Sequence, residues 1–151
     1  MPRLYIIAVG DKLSGWANEA CDEYLKRLPR GFEALLFEVR AEPRTSGKSV
    51  EQMMVAEAQK LRASLSRGAR LVGLDERGKD LTTKQFASLL GAPTAFVIGG
   101  ADGLDPALKK EAALLLRLSA LTLPHALAQV VLCEQLYRAA TLLTGHPYHR
   151  E

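Results

Sequence analysis

No Gly-x-x-x-x-Gly-Lys-Ser/Thr loop occurs in the 151 residues, so the backbone cradle that P-loop enzymes close around phosphates is missing. The Rossmann fingerprint fails as well, because Gly10 is the only glycine after the first apolar run until Gly15. Gly-x-Ser-x-Gly, His-Glu-x-x-His and Cys-x-x-Cys are all absent, which removes the commonest hydrolase, protease and dehydrogenase assignments. Cysteine is scarce. Cys21 and Cys133 lie far apart within amphipathic patterns and have no second ligand at metal spacing, so they read as reduced core thiols of a cytosolic protein. Long apolar runs are missing too. Leu4 to Val9 is far shorter than the ~20 residues a membrane helix needs, and no small-residue cleavage site follows it. The expected location is the cytoplasm, with no membrane partner. No internal repeat or low-complexity segment is found.

What is present fits one globular domain spanning residues 1–151. The chain is 48% hydrophobic and 25% charged, enough for a real core, and a second domain would leave each half too small. A formal charge of +3 with a pI near 9.0 permits an acidic partner such as RNA without demanding one.

Strand-like and helix-like patterns alternate along the chain. Leu4–Val9 reads as a buried strand closed by Gly10-Asp11. Trp16, Ala17, Ala20, Cys21, Tyr24, Leu25 and Leu28 recur at helical spacing until Pro29 and Gly31 stop them. A second strand, Leu35–Val39, leads to a polar stretch from Arg40 to Lys48, the best candidate for a mobile loop. Ser49 with Gln52 is a capping-box signature, and the helix after it should bury Val50, Met54, Ala58, Leu61 and Leu65. A third strand, Leu71–Leu74, ends at Asp75-Glu76-Arg77-Gly78. Thr82 and Gln85 cap a short helix containing Phe86, Leu89 and Leu90. Strands at Thr94–Ile98 and Leu114–Leu118 follow, joined by a helix that Asp105 caps with Pro106 at its first position. The last helix, about His125 to Thr144, is apolar nearly all round, so it is either central or buried against a second subunit. This order predicts an α/β fold with a mostly parallel sheet and helices on both faces.

The last third holds the candidate site. Gly99-Gly100-Ala101-Asp102-Gly103-Leu104 follows one strand, and Ser119-Ala120-Leu121-Thr122-Leu123-Pro124-His125 follows the next. Ligands of open α/β sheets bind at such carboxyl ends. The glycines serve either as turns with positive φ or as uncovered backbone against a flat ligand. The second loop lacks basic side chains, which suits an adenine and sugar held by main-chain hydrogen bonds and does not suit a pyrophosphate. His125 is either a structural residue at a helix start or a proton carrier. Glu134 and Arg138 form an i,i+4 pair. The tail, His146-Pro147-Tyr148-His149-Arg150-Glu151, gathers three hydrogen-bonding rings and a guanidinium suited to a base and a phosphate.

Several of these segments together carry a family resemblance. They are Gly99-Gly-Ala-Asp-Gly-Leu, Leu118-Ser-Ala-Leu-Thr-Leu-Pro-His125, Glu134-Gln-Leu-Tyr-Arg-Ala139 and the closing His-Pro-Tyr-His. With Ala8-Val9-Gly10 before Lys12, Tyr24-Leu25-Lys26-Arg27, and Leu74-Asp75 with Gly78-Lys79, the chain resembles the ribosomal large-subunit pseudouridine N-methyltransferases of the SPOUT superfamily from end to end. The resemblance implies a carboxyl-terminal trefoil knot, a homodimer, S-adenosylmethionine as cofactor, and methylation of N3 of a pseudouridine in large-subunit ribosomal RNA within the assembled ribosome. Carried over by motif, cofactor contacts fall on Leu74, Gly99, Gly100, Leu118, Ser119, Ala120, Leu121, Thr122 and Leu123. Gln129 stands where that family usually has arginine, with Arg138 or Arg117 as candidate substitutes.

For such a reaction the acceptor is an imide nitrogen that must lose its proton, so a general base is useful. His149 or His125 is assigned that role, with Tyr148 positioning the base and Arg150 holding a phosphate or carbonyl. No metal is required, since the donor methyl is already activated. Two rival readings remain at this level: a noncatalytic ribosome-associated factor, and a small nucleotide-dependent enzyme with an atypical phosphate loop.

Overall fold

The computed structural model describes residues 3–10, 15–43, 47–65 and 67–148. The elements are β1 (Arg3–Val9), α1 (Gly15–Lys26), β2 (Glu33–Val39), α2 (Val50–Ser64), β3 (Arg70–Asp80), α3 (Thr83–Ala87) and a 3₁₀ turn (Ser88–Gly91). They continue with β4 (Thr94–Ile98), α4 (Pro106–Glu111), β5 (Leu114–Arg117) and α5 (His125–Thr144). The five strands form one sheet in the order β2-β1-β4-β3-β5, and every neighbouring pair is parallel. The expected α/β fold with a parallel sheet is what the chain adopts.

Strand alternation splits the core in two. Leu4, Ile6 and Ala8 of β1, Phe96 and Ile98 of β4, and Val72 of β3 face α1, α3 and α5. Tyr5, Ile7, Val9, Ala95, Val97 and Leu71 face α2 and α4. Because β1 and β4 are buried on both faces, their sequences are continuous apolar runs rather than alternating ones.

Both predicted capping boxes are formed. Gln52 N donates to Ser49 Oγ (3.2 Å) and Ser49 N donates to Gln52 Oε1 (2.9 Å). Gln85 N and Thr82 N exchange the same pair of bonds at the start of α3. Asp105 Oδ2 accepts from Ala107 N (3.2 Å), with Pro106 opening α4.

Two expectations need correction. The buried stripe of α2 is Met53, Glu57, Ala58 and Leu61, while Val50 is exposed and Met54 only partly covered. Periodicity counted apolar residues, so it passed over a buried carboxylate. The third strand does not stop at Leu74 but runs to Asp80. Its pairing with β5 shifts register between Leu74 and Lys79, so Asp75–Gly78 bulges out of the ladder at the sheet's carboxyl edge. Gly78 permits the return: a Cβ there would lie 2.8 Å from the Leu115 carbonyl.

The described part of the stretch after β2 is tied down rather than loose. Glu42 N donates to Glu57 Oε2 (3.0 Å), and the Glu42 carboxylate binds Lys48 (3.3 Å) and Lys60 (3.1 Å). Residues 44–46 of that stretch lie outside the described residues.

Candidate functional site

The bulge of β3 and the connections after β4 and β5 converge at one end of the sheet and enclose a cleft of about 530 Å³. Its apolar walls are Leu74, Ile98, Leu104, Leu118 and Leu123, and the glycine loop after β4 supplies bare backbone. Of the nine cofactor positions expected from the sequence, all but Ala120 line this cleft, and His125 lines it too. Ala120 stands exposed, in the same loop.

The glycine loop is built on close backbone contact. Gly103 N donates to Gly100 O (3.0 Å), and Gly103 takes φ +86°. A Cβ at Gly99 would lie 2.6 Å from the Gly103 carbonyl carbon, so a side chain there would force the backbone of the loop apart. In the facing loop, Leu121 N donates to Ser119 Oγ (2.9 Å), and the Leu121 side chain is 78% exposed.

The bulge after Leu74 brings acidic and basic groups to the rim, which the sequence reading did not assign. Asp75 binds Lys109 of α4 at 3.0 Å and accepts from Arg77 N at 3.0 Å. Burial is the largest single influence on the Asp75 carboxyl and pushes it up. The Arg77 amide and the Lys109 ammonium together outweigh it and hold Asp75 below the usual carboxylate range. Asp75 is therefore an ionised acceptor beside an apolar slot. Its signal in the sequence was the polar run at the end of a strand.

His125 opens α5 without a side-chain cap bond from Pro124. Burial pulls its imidazole below the ordinary value, against a weaker opposing pull from Glu38. It is thus neutral at physiological pH and able to accept a proton.

Tyr148 is held elsewhere. Gly145, at φ +76°, ends α5 and turns the chain back along it. Tyr148 Oη donates to Glu134 Oε2 (3.0 Å), its ring packs on Tyr137 at 4.5 Å, and the Arg138 guanidinium lies over it at 4.9 Å. Burial, then the Glu134 carboxylate, push the phenol up to about 12. None of these contacts lines the cleft, and Glu134 is nine residues beyond His125, ~13 Å along a helix axis. His149 and Arg150 lie outside the described residues.

Gln129 is fully buried, and among the described residues neither its amide oxygen nor its nitrogen has a hydrogen-bond partner. The proposed substitutes for an arginine there are engaged: Arg138 with Glu134 (2.9 Å), and Arg117 with both oxygens of Asp80 (2.7 and 2.6 Å). Cys21 and Cys133 are free, buried thiols in contact across α1 and α5, and Cys133 is pushed up by Cys21 and by burial. Among the described residues no group of three or more ligating side chains could hold a metal ion, and no helix is long and apolar enough to cross a membrane.

A family model described as "Predicted SPOUT methyltransferase" matches residues 3–149, the candidate cleft included. The chain belongs to the SPOUT methyltransferase family. This SPOUT methyltransferase is 53% identical over 154 residues to the ribosomal RNA large subunit methyltransferase H of Burkholderia vietnamiensis, covering 98% of this chain and 99% of the relative. Its fold is similar to that of a putative RNA methyltransferase from Bacillus anthracis, at TM-score 0.55 and 15% identity, covering 98% of both chains. It is also similar to the SpoU methyltransferase AviRb from Streptomyces viridochromogenes, solved in complex with AdoMet, at TM-score 0.50 and 18% identity. That match covers 93% of this chain and 57% of the other.

Proposed function

We propose that this SPOUT methyltransferase uses S-adenosylmethionine to methylate N3 of a pseudouridine in large-subunit ribosomal RNA, acting on the assembled ribosome in the cytoplasm as a homodimer. The observation that carries the reading is the cleft itself, in which an apolar slot, bare glycine backbone and an ionised carboxylate meet at the bulge of β3 and the carboxyl ends of β4 and β5. That donor set fits an adenosyl group: leucines for the ring, main-chain groups for its edge, and Asp75 for a hydroxyl or a positive centre. The knotted path implied by the family resemblance belongs to the same proposal.

The cofactor supplies a methyl group already activated on a sulfonium. The residues of the cleft have to hold it, exclude water and place the acceptor nitrogen in line. Leu74, Leu118 and Leu123 exclude water, while Gly99, Gly100 and the Ser119–Leu123 loop hold the adenosyl portion. His125 Nε2 takes the imide proton, leaving a lone pair on nitrogen that would form the N–C bond to the activated methyl, while the C–S bonding pair would leave with sulfur. His125 is favoured over His149 as the base because it borders the cleft within the described residues. In its own chain Tyr148 sits on the outer stripe of α5 with Glu134 and Arg138, beside half-buried Val131 and exposed Leu127. A tail on that stripe serves the cleft of a second copy, which is why the homodimer is part of the proposal.

The test is transfer of labelled methyl to assembled ribosomes, isolated subunits and free RNA in parallel, with the modified base mapped. Label on N3 of a large-subunit pseudouridine, strongest with assembled ribosomes, is expected. Label on another base, or none in any substrate despite donor binding, overturns the reading.

A further inference from the structure

The chain after β4 leaves the sheet in the opposite direction from the chain after either of its neighbours. From β1 and β3 it turns to α1 and α3 on one face; from β4 it turns to α4 on the other. Crevices open where neighbouring connections diverge, so β4 should have one on each side. The first, toward β3, is the adenosyl cleft. The second lies toward β1, has a volume of about 600 Å³, and is lined by Val9, Gly10, Arg40, Glu42, Gly100 and His125 among others. Its size falls in the ~300–1,000 Å³ range of small-molecule sites.

Gly100, Ala101 and His125 line both spaces. The two spaces therefore adjoin at two small residues and one imidazole. That boundary stays thin because of the glycines. A Cβ at Gly10 would stand 3.2 Å from His125 Nε2, and one at Gly100 would meet Glu57 Oε1 at 3.0 Å and Val9 Cγ1 at 3.1 Å. Bare backbone at residue 10 leaves the ring edge of His125 reachable from the second crevice.

Charge at the mouth points the same way. The Glu42 carboxylate is already taken by Lys48 and Lys60. Among the described residues, the Arg40 guanidinium has no side-chain partner, while its carbonyl accepts from Lys60 Nζ (2.9 Å). A base that undergoes chemistry has to leave its stack and enter a pocket of its own, with its phosphate held outside. We propose that the second crevice receives the acceptor nucleoside of the RNA, with Arg40 on its phosphate, its base edge reaching the donor methyl where the two spaces adjoin, and His125 beside that junction to take the proton. This rests on the methyltransferase reading above.

The experiment pairs calorimetry with S-adenosylhomocysteine and methyl transfer to ribosomes, for the full chain and two variants. Gly10→Ala crowds His125 from the acceptor side and is expected to lower kcat/KM about 100-fold, the scale of a ~1 Å misplacement, with S-adenosylhomocysteine affinity unchanged. Arg40→Ala is expected to raise the KM for ribosomes roughly tenfold and to make the salt dependence shallower by one phosphate contact. Wild-type transfer kinetics in Arg40→Ala overturn the inference, as do wild-type kinetics in a folded Gly10→Ala. Weakened S-adenosylhomocysteine binding in Arg40→Ala also overturns it, by making the second crevice part of the donor's site. Failure of the unsubstituted protein to bind S-adenosylhomocysteine sinks the methyltransferase reading instead, so the two failures are distinguishable.

Discussion

Replacing Gly99 by alanine tests the cleft at its tightest point. The new Cβ would sit 2.6 Å from the carbonyl carbon of Gly103, 2.7 Å from its oxygen and 2.9 Å from Leu104 N. Ordinary contacts between such atoms are ~3.5–4.0 Å, so the loop has to open by about 1 Å. No side-chain rotation relieves the clash, since all three atoms are backbone. Opening the loop strains the Gly103 N to Gly100 O bond (3.0 Å) and pulls on Leu104, which is only 3% exposed and packed in the core beneath α2 and α4. Overpacking of this kind costs about 1–3 kcal/mol, which for a chain of this size lowers Tm by about 2–12 °C. The same shift deforms the floor of the cleft, so affinity for S-adenosylhomocysteine should fall by at least ~10-fold. Gly103→Ala is the control. Gly103 has φ +86° and nothing within 4 Å of its Cβ position. It therefore carries only the left-handed backbone penalty of ~1–2 kcal/mol. Calorimetric titration and thermal melts of both variants read the difference. Wild-type Tm and affinity in Gly99→Ala, or a larger affinity loss in Gly103→Ala, would refute the reasoning.

Gln129→Met removes two buried unpartnered polar atoms at similar volume and should stabilise by roughly 1–3 kcal/mol; a lowered denaturation midpoint would mean the amide has a partner in the working assembly. Ser49→Ala deletes the bond from Gln52 N and should cost ~1 kcal/mol in chemical denaturation, with an unchanged midpoint contradicting the cap's role. His125 titrates lower when folded than the ~6.5 of the unfolded chain, so as pH falls through ~6.5 the unfolded state gains a proton that the folded state refuses. Stability contributed by neutral His125 is therefore lost as pH falls from ~6.5 toward the folded value, and His125→Asn should flatten that slope. Methyl transfer should persist through pH ~6.5 and fall only below it. A fall centred on the ordinary histidine value would take the base role away from His125.

Local signals were legible wherever a few neighbouring residues settle the outcome. Ser49 with Gln52, Thr82 with Gln85, and Asp105 before Pro106 sit where the helices start, because a cap is a bond between groups three residues apart or fewer. The run Thr94–Ile98 is the strand expected, since five consecutive apolar or β-branched residues suit only a fully covered position. The stripe of α2 was misread at Glu57 because burial there depends on partners from outside the helix. One of these is the backbone amide of Glu42, fifteen residues away. The far limit of β3 was missed for a similar reason: polar Asp75–Asp80 stays in the strand only because β5 offers a ladder to return to.

By itself the sequence determined the element order, the caps, the parallel class of the sheet, the residues of the two loops and, through its motifs, the family. Each is decided by local bonding or by the period of apolar residues along the chain. Tertiary structure alone decided that β4 lies between β1 and β3 and sends its chain to the opposite face from both, opening a crevice on either side. It likewise placed Asp75 against Lys109 and His125 against Gly10, and drew Tyr148 away from the cleft to Glu134. Those pairings join residues 14 to 115 positions apart, and only packing the helices against both faces of the sheet brings such distant groups within a few ångströms.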